Sequence, residues 1–451
     1  MSPLNRRNFL RLAAAGAGVG ALGTVSGPFG LLSRAHAASG IAGASGGAIF
    51  IVLNGGARTQ AVFNGMVGSG ANPFGQISGL PVPMSSVMEG SGLDDPEINR
   101  HINLVTTVAH HNRSGSHATG RSVACTGYTP EEGKPGILSI LNHAFAFRDV
   151  PCVNIGNDTP TTAIGSEISS TFSPVKINTA LDVNEISASL VDSAVSEDEK
   201  LRLDSLRNTL QDRFLRATPY DAPADIPFYQ RRAIEIAQQF DNDALDIRAD
   251  ASMGRYLDGS PVRNGGLRGS FNVADNGRNL GAAAMLAVRL RQLGCGGITI
   301  STGNWDMHSN EESRLPGRAN EVGGVIAGLI GELSQIESPL EPGRSLLDTT
   351  VITVLSDFGR GNWSNGTGFN SDRGSDHRSR EDKTAFQCIP IIGGGLAGGQ
   401  VLGEITNGGS PAAGSPIYTT RQVLATALDV LGIPPTLYMP EDAPPLTEDL
   451  S

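Results

Sequence analysis

The stretch GNWDMHSN, residues 303–310, sets Asp306 and His308 two positions apart directly after the apolar run GGITIST. Histidine is scarce here, with eight in 451 residues. On a strand this spacing sends both side chains to one face; on a loop behind a strand they can converge on one ion. Two further clusters follow. SDFGR puts Asp357 at the end of the apolar run 349–356, with Arg360 just beyond, and GSDHRSR puts Asp376 beside His377 in a Gly-rich loop. Carboxylate oxygens and imidazole nitrogens are the ligand set of zinc, manganese or iron, and carboxylates also suit magnesium or calcium. Acids gathered at one place repel, and a divalent cation relieves that repulsion. Each cluster has a plainer alternative. Asp306 could cap a helix, His308 could be a hydrogen-bonded structural histidine, and Asp357 with Arg360 could be a local ion pair.

A fourth cluster, AHHNRSGSHATGRSVACTG at 109–127, follows another apolar run and opens a helical pattern. Backbone amides at a helix start attract anions, as does an arginine one turn in. Ser116, His117 or Thr119 could serve there as nucleophile or anion-binding group, with Arg121 as the clamp. Alternatively Ser116 is only an N-cap and Arg121 a surface residue.

These residues need elements to position them. Continuous apolar runs at 48–53, 102–109, 151–156, 296–302, 349–356 and 388–394 read as strands buried on both faces. Helical patterns at 117–125, 136–147, 278–293, 320–335 and 420–431 lie between them. Such alternation implies an α/β fold, a mostly parallel sheet with helices on both faces. Ligands of such sheets bind beyond the carboxyl ends of the strands, where the acidic clusters stand. Residues 196–256 break the rhythm with two amphipathic helices and read as a helical insertion. The segments 65–100 and 359–376 read as long loops.

The first 37 residues hold a twin arginine (Arg6, Arg7), a weakly apolar Ala/Gly run and Ala35-His36-Ala37, the pattern of a twin-arginine export peptide. The expectation is a chain exported folded to the periplasm or beyond, handled by the twin-arginine machinery, with residues 38–451 as one domain and no stable membrane anchor after cleavage. Removing four arginines and no acid takes the formal charge from −11 to −15. That balance argues against nucleic acid as a partner and leaves room for a local cationic pocket for a small anionic ester. Cys125, Cys152, Cys295 and Cys388 show no metal-knuckle or redox spacing; two disulfides or four buried thiols both fit.

GITISTGNWDMHSN, TTVITVLSDFGR, GSDH and IPIIGGGLAGGQVLGE, in that order behind a twin-arginine signal, resemble the family called domain of unknown function 1501, grouped with alkaline phosphatases and sulfatases. The resemblance implies an alkaline-phosphatase-like doubly wound sandwich with a metal site at the strand ends. It places Asp306, His308, Asp357, Asp376 and His377 at that site. Counting from Thr126-Gly127, the sulfatase arginine falls on Arg121 and the nucleophile position on His117, where a Ser, Thr or Cys would be expected. The superfamily also supplies an acid after the first strand, whereas residues 54–65 hold neither Asp nor Glu. Asn54 or Asn64 could offer only an amide oxygen. The resemblance therefore implies a metal-dependent phosphate or sulfate ester hydrolase or, with those gaps, a degenerate exported binding or scaffold protein.

Overall fold

The computed structural model describes residues 44–65, 72–109, 116–145, 152–157, 159–168, 173–180, 247, 271, 279–308, 310–360, 386–406, 410–440 and 442–451. The export segment, nearly all of the insertion at 196–256, and the loop carrying Asp376 and His377 lie outside the described residues. Among the described residues no helix is long and apolar enough to cross a membrane.

The strands are β1 Gly47–Leu53, β2 Gln76–Ile77, β3 Met84–Ser85, β4 Ile102–Ala109, β5 Val153–Ile155, β6 Val175–Ile177, β7 Gly297–Thr302, β8 Thr350–Ser356, β9 Gln387–Gly393, β10 Val401–Leu402 and β11 Tyr418–Thr419. The helices are α1 Thr59–Phe63, α2 Pro96–Asn99, α3 His117–Thr126, α4 Ile137–Ala144, α5 Leu280–Gln292, α6 Glu311–Gln335 and α7 Thr420–Val430. Strands β2 and β3 form a small hairpin sheet; the others join one sheet in the order β10-β4-β9-β8-β1-β7-β5-β6, with β11 also on β4.

The sheet is mixed and mostly parallel. Only β9 runs against its neighbours, β4 and β8. A run such as QCIPIIG is apolar throughout because both faces are covered, so it carries no signal of direction. β1 lies at the centre, parallel to β7 and β8, and all seven of its residues are buried. Alternation divides them between two cores. Ile49, Ile51 and Leu53 face α5 and α6, whereas Ala48, Phe50 and Val52 face α3, α4 and α7. Helices on both faces are what a sheet of this composition needs to leave water.

α6 starts at Glu311, well before the expected 320. Pro316 sits inside α6, costing one backbone bond near the start of a long helix that the core holds. All four cysteines are buried free thiols, which decides between the two alternatives above. Burial pushes the thiols of Cys125 and Cys388 up, so neither is a ready nucleophile.

Candidate metal centre

Asp306, His308 and Asp357 follow the carboxyl ends of β7 and β8, and His117 opens α3 behind β4. The side chain of Asp357 is 1 % exposed. Its Oδ2 accepts the Gly55 amide at 3.2 Å and lies 2.8 Å from His117 Nδ1. The other face of the imidazole, Nε2, lies 3.3 Å from Asp306 Oδ2. Asp306 Oδ1 in turn lies 2.8 Å from His308 Nε2 and 2.8 Å from the Arg360 guanidinium. Two carboxylates and two imidazoles thus alternate across the rim.

Two glycines permit this closeness. A Cβ on Gly120, one turn into α3, would stand 2.5 Å from the Asp357 carbonyl oxygen, so only glycine lets the helix settle onto β8. Gly55, at φ +123°, would press a Cβ to 2.3 Å from the Asp306 nitrogen. The loop after β1 offers its backbone N–H to the site through Gly55, which donates to Asp357. Phe358, fully buried, lies against the His117 ring with centroids 5.0 Å apart.

Arg360 belongs with Asp306 and not with Asp357, which corrects the local-pair alternative. It is 3 % exposed, and besides Asp306 it donates to the carbonyls of Gly55, Gly56 and Trp305. Its guanidinium thus ties together the loops after β1, β7 and β8. Arg121 lies 3.7 Å from Asp357 Oδ2 with its side chain 35 % exposed, so it faces both the buried acid and the solvent. Ser116 occupies the N-cap position of α3, exposed, and its side chain does not cap the helix.

The ligand atoms of His117, Asp306 and His308 all lie within 4.8 Å of one another, close enough to hold one ion. Asp357, expected among the ligands, stands behind His117. By holding Nδ1 it leaves Nε2 to face the ion, the arrangement in which a carboxylate fixes the tautomer of a ligating histidine. Burial holds the Asp357 carboxyl above the usual carboxylate range, against the opposing pull of His117, Arg121 and the Gly55 amide. Its Oδ1 is buried and accepts no hydrogen bond. The donor set fits a divalent ion: three convergent ligand groups, one of them a carboxylate, with coordination positions left over. From the sequence His117 stands at the nucleophile position and could be a metal ligand, a phospho- or general-base histidine or a relic; the geometry, with α3 docked on β8, favours the ligand. The Arg360 tie and the Gly55 amide were not foreseen, and the only trace of them in the sequence is the glycine pair in NGGAR.

No curated protein matches the chain in sequence. Among solved structures it is similar to PsFucS1 sulfatase from Pseudoalteromonas sp., at 11 % identity and a TM-score of 0.35, over 96 % of this chain and 74 % of that one. It is also similar to the alkaline phosphatase of the Antarctic bacterium TAB5, at 11 % identity and a TM-score of 0.36, over 86 % and 98 % of the two chains. Likeness this slight leaves the chemistry to be read from the chain's own residues. In sequence, residues 78–446 match the family described as "Protein of unknown function (DUF1501)", and the chain belongs to that family.

Proposed function

We propose that the protein is an exported, metal-dependent hydrolase of phosphate or sulfate esters, of the alkaline phosphatase and sulfatase kind. The observation that carries this reading is the convergence of His117, Asp306 and His308 within 4.8 Å at the strand ends. Two imidazoles and one carboxylate favour zinc, manganese or iron over magnesium and calcium, which prefer oxygen alone. When bound, the ion supplies Lewis acidity toward an ester oxygen.

The chain's own residues do the rest. Arg121 and the first-turn amides of α3 attract the anionic group of the substrate. Asp357 holds His117 at Nδ1, so the imidazole cannot rotate away from the centre. Arg360 holds Asp306 Oδ1 and leaves Oδ2 toward His117. Position 117 holds a histidine and offers no hydroxyl or thiol, which supports attack by water rather than a covalent ester with the enzyme. The same feature, with the missing acid after β1, favours a second reading, a metal-binding scaffold without turnover.

The test uses the full chain after removal of its export segment. Elemental analysis is expected to find close to one divalent ion per chain in wild type. Asp306→Ala and His308→Ala are each expected to lower metal affinity at least about tenfold and to abolish turnover of aryl phosphate or aryl sulfate. Turnover equal in wild type and both variants would sink the hydrolase. Metal uptake without any turnover selects the scaffold.

A further inference from the structure

The loop between β7 and α6 carries both Asp306 and His308, and its described residues form neither helix nor strand. Asn304 and Asn310, at φ 66° and 52°, are the only described residues other than glycine in the left-handed region, and they bracket the two ligands. Such conformations persist where the surroundings over-determine them. Trp305, 1 % exposed, roots the start of the loop, with its amide on the Asn54 carbonyl and its own carbonyl on Arg360.

The far end has a different anchor. Glu311, the first residue of α6, meets Arg58 in a two-point ion pair: Nε to Oε1 at 3.2 Å and a terminal nitrogen to Oε2 at 3.0 Å. Both side chains are 2 % exposed. Arg58 occupies the N-cap position of α1, in the loop after β1. β1 and β7 end at the paired residues Leu53 and Thr302, so the two loops leave the sheet side by side and are joined again by Arg58 and Glu311. His308 lies three residues before this clasp, which keeps its Cα within about 11 Å of that of Glu311.

Stability is a poor reason for such a pair. A buried ion pair replaced by apolar groups of similar volume is often no less stable, because two charges no longer lose their water. We infer that Arg58 and Glu311 are positioning residues of the metal centre: their clasp sets the height of the β7–α6 loop so that His308 meets Asp306 and His117. The inference rests on the metal reading proposed above, and neither residue need touch the ion.

The experiment measures zinc affinity by competition with a chromophoric chelator, and thermal stability in parallel, on the full processed chain. Asp306→Ala serves as the blank for zinc bound elsewhere. In the double variant Arg58→Met, Glu311→Leu the melting temperature is expected to stay near or above that of wild type, while zinc affinity falls at least tenfold. Glu311→Gln, which keeps the shape and one hydrogen bond, is expected to lower affinity about threefold; it carries the test if the double variant does not fold. Unchanged affinity in whichever of these variants folds overturns the clasp and leaves the metal reading standing. Wild-type zinc uptake no greater than that of the Asp306→Ala blank overturns both, beginning with the metal reading.

Discussion

Arg291 and Arg360 are both almost fully buried, and they stand at opposite ends of the same three strands. Arg291, on α5, reaches the feet of β7 and β8, donating to the carbonyls of Cys295 and Thr349 and to the Thr350 hydroxyl. Arg360 reaches the tops, donating to the carbonyls of Gly55, Gly56 and Trp305. Each ties together segments at the strand ends by donating to backbone carbonyls. The difference lies in what else is present. At the foot no carboxylate among the described residues bonds to the guanidinium, and burial pushes Arg291 down to about 10. At the rim the same kind of tie also takes Asp306, which in turn meets two imidazoles. A buried guanidinium on carbonyls is therefore a structural device; the acid and histidines around Arg360 are what set the rim apart.

That contrast can be broken by substitution. The largest effect is expected at the foot: Arg291→Ala strands the buried Cys295 carbonyl, removes the bonds to Thr349 and Thr350 and opens a cavity, costing about 3 kcal/mol or more in urea unfolding. Added metal is expected to stabilise this variant by the same increment as wild type; a smaller increment would mean that the two ends are coupled. A matched pair of glycines sharpens the point. A Cβ on Gly47 would stand 2.2 Å from the Arg291 guanidinium, and one on Gly120 would stand 2.5 Å from the Asp357 carbonyl. Both alanine variants are expected to lose about 1–3 kcal/mol through overpacking. Only Gly120→Ala should also weaken metal binding, measurable by calorimetric titration, because it lifts His117 off Asp357.

The smallest effect concerns pH. The Asp357 carboxyl is held above its ordinary value of 3.8, chiefly by burial. A group with a raised folded value contributes stability that is fully present below its ordinary value and is lost as pH rises through the folded one. In chelator-treated protein, Asp357→Asn should therefore gain stability relative to wild type as pH climbs from 3.8 toward neutrality, with no gain below it. Denaturation midpoints at the two ends of that range decide it. A gain independent of pH would mean that ionisation of Asp357 is not the cause.

The six runs read as strands all form strands, because burial on both faces leaves an apolar signature that context does not disturb. The reversed direction of β9 could not be read, since both directions bury the same side chains. At the site, Asp306, His308 and Asp357 stood out as acids and imidazoles behind strands, where a charge needs a partner. What stayed hidden depends on distance through space. That Asp357 serves His117, that Arg360 serves Asp306, and that Arg58 finds Glu311 are pairings across 240, 54 and 253 positions. No local pattern encodes them.

The separation of His117 from Asp357 in the chain has a further consequence. The imidazole is set in place by an acid that leaves the ribosome 240 residues after it. Until β8 has been made and slotted beside β1, a passing cation meets only scattered, weakly held donors. Under the proposed metal reading, ion capture would be a receipt for completed topology: a chain truncated ahead of β8 should leave the synthesis machinery empty-handed, and loading would separate finished molecules from unfinished ones.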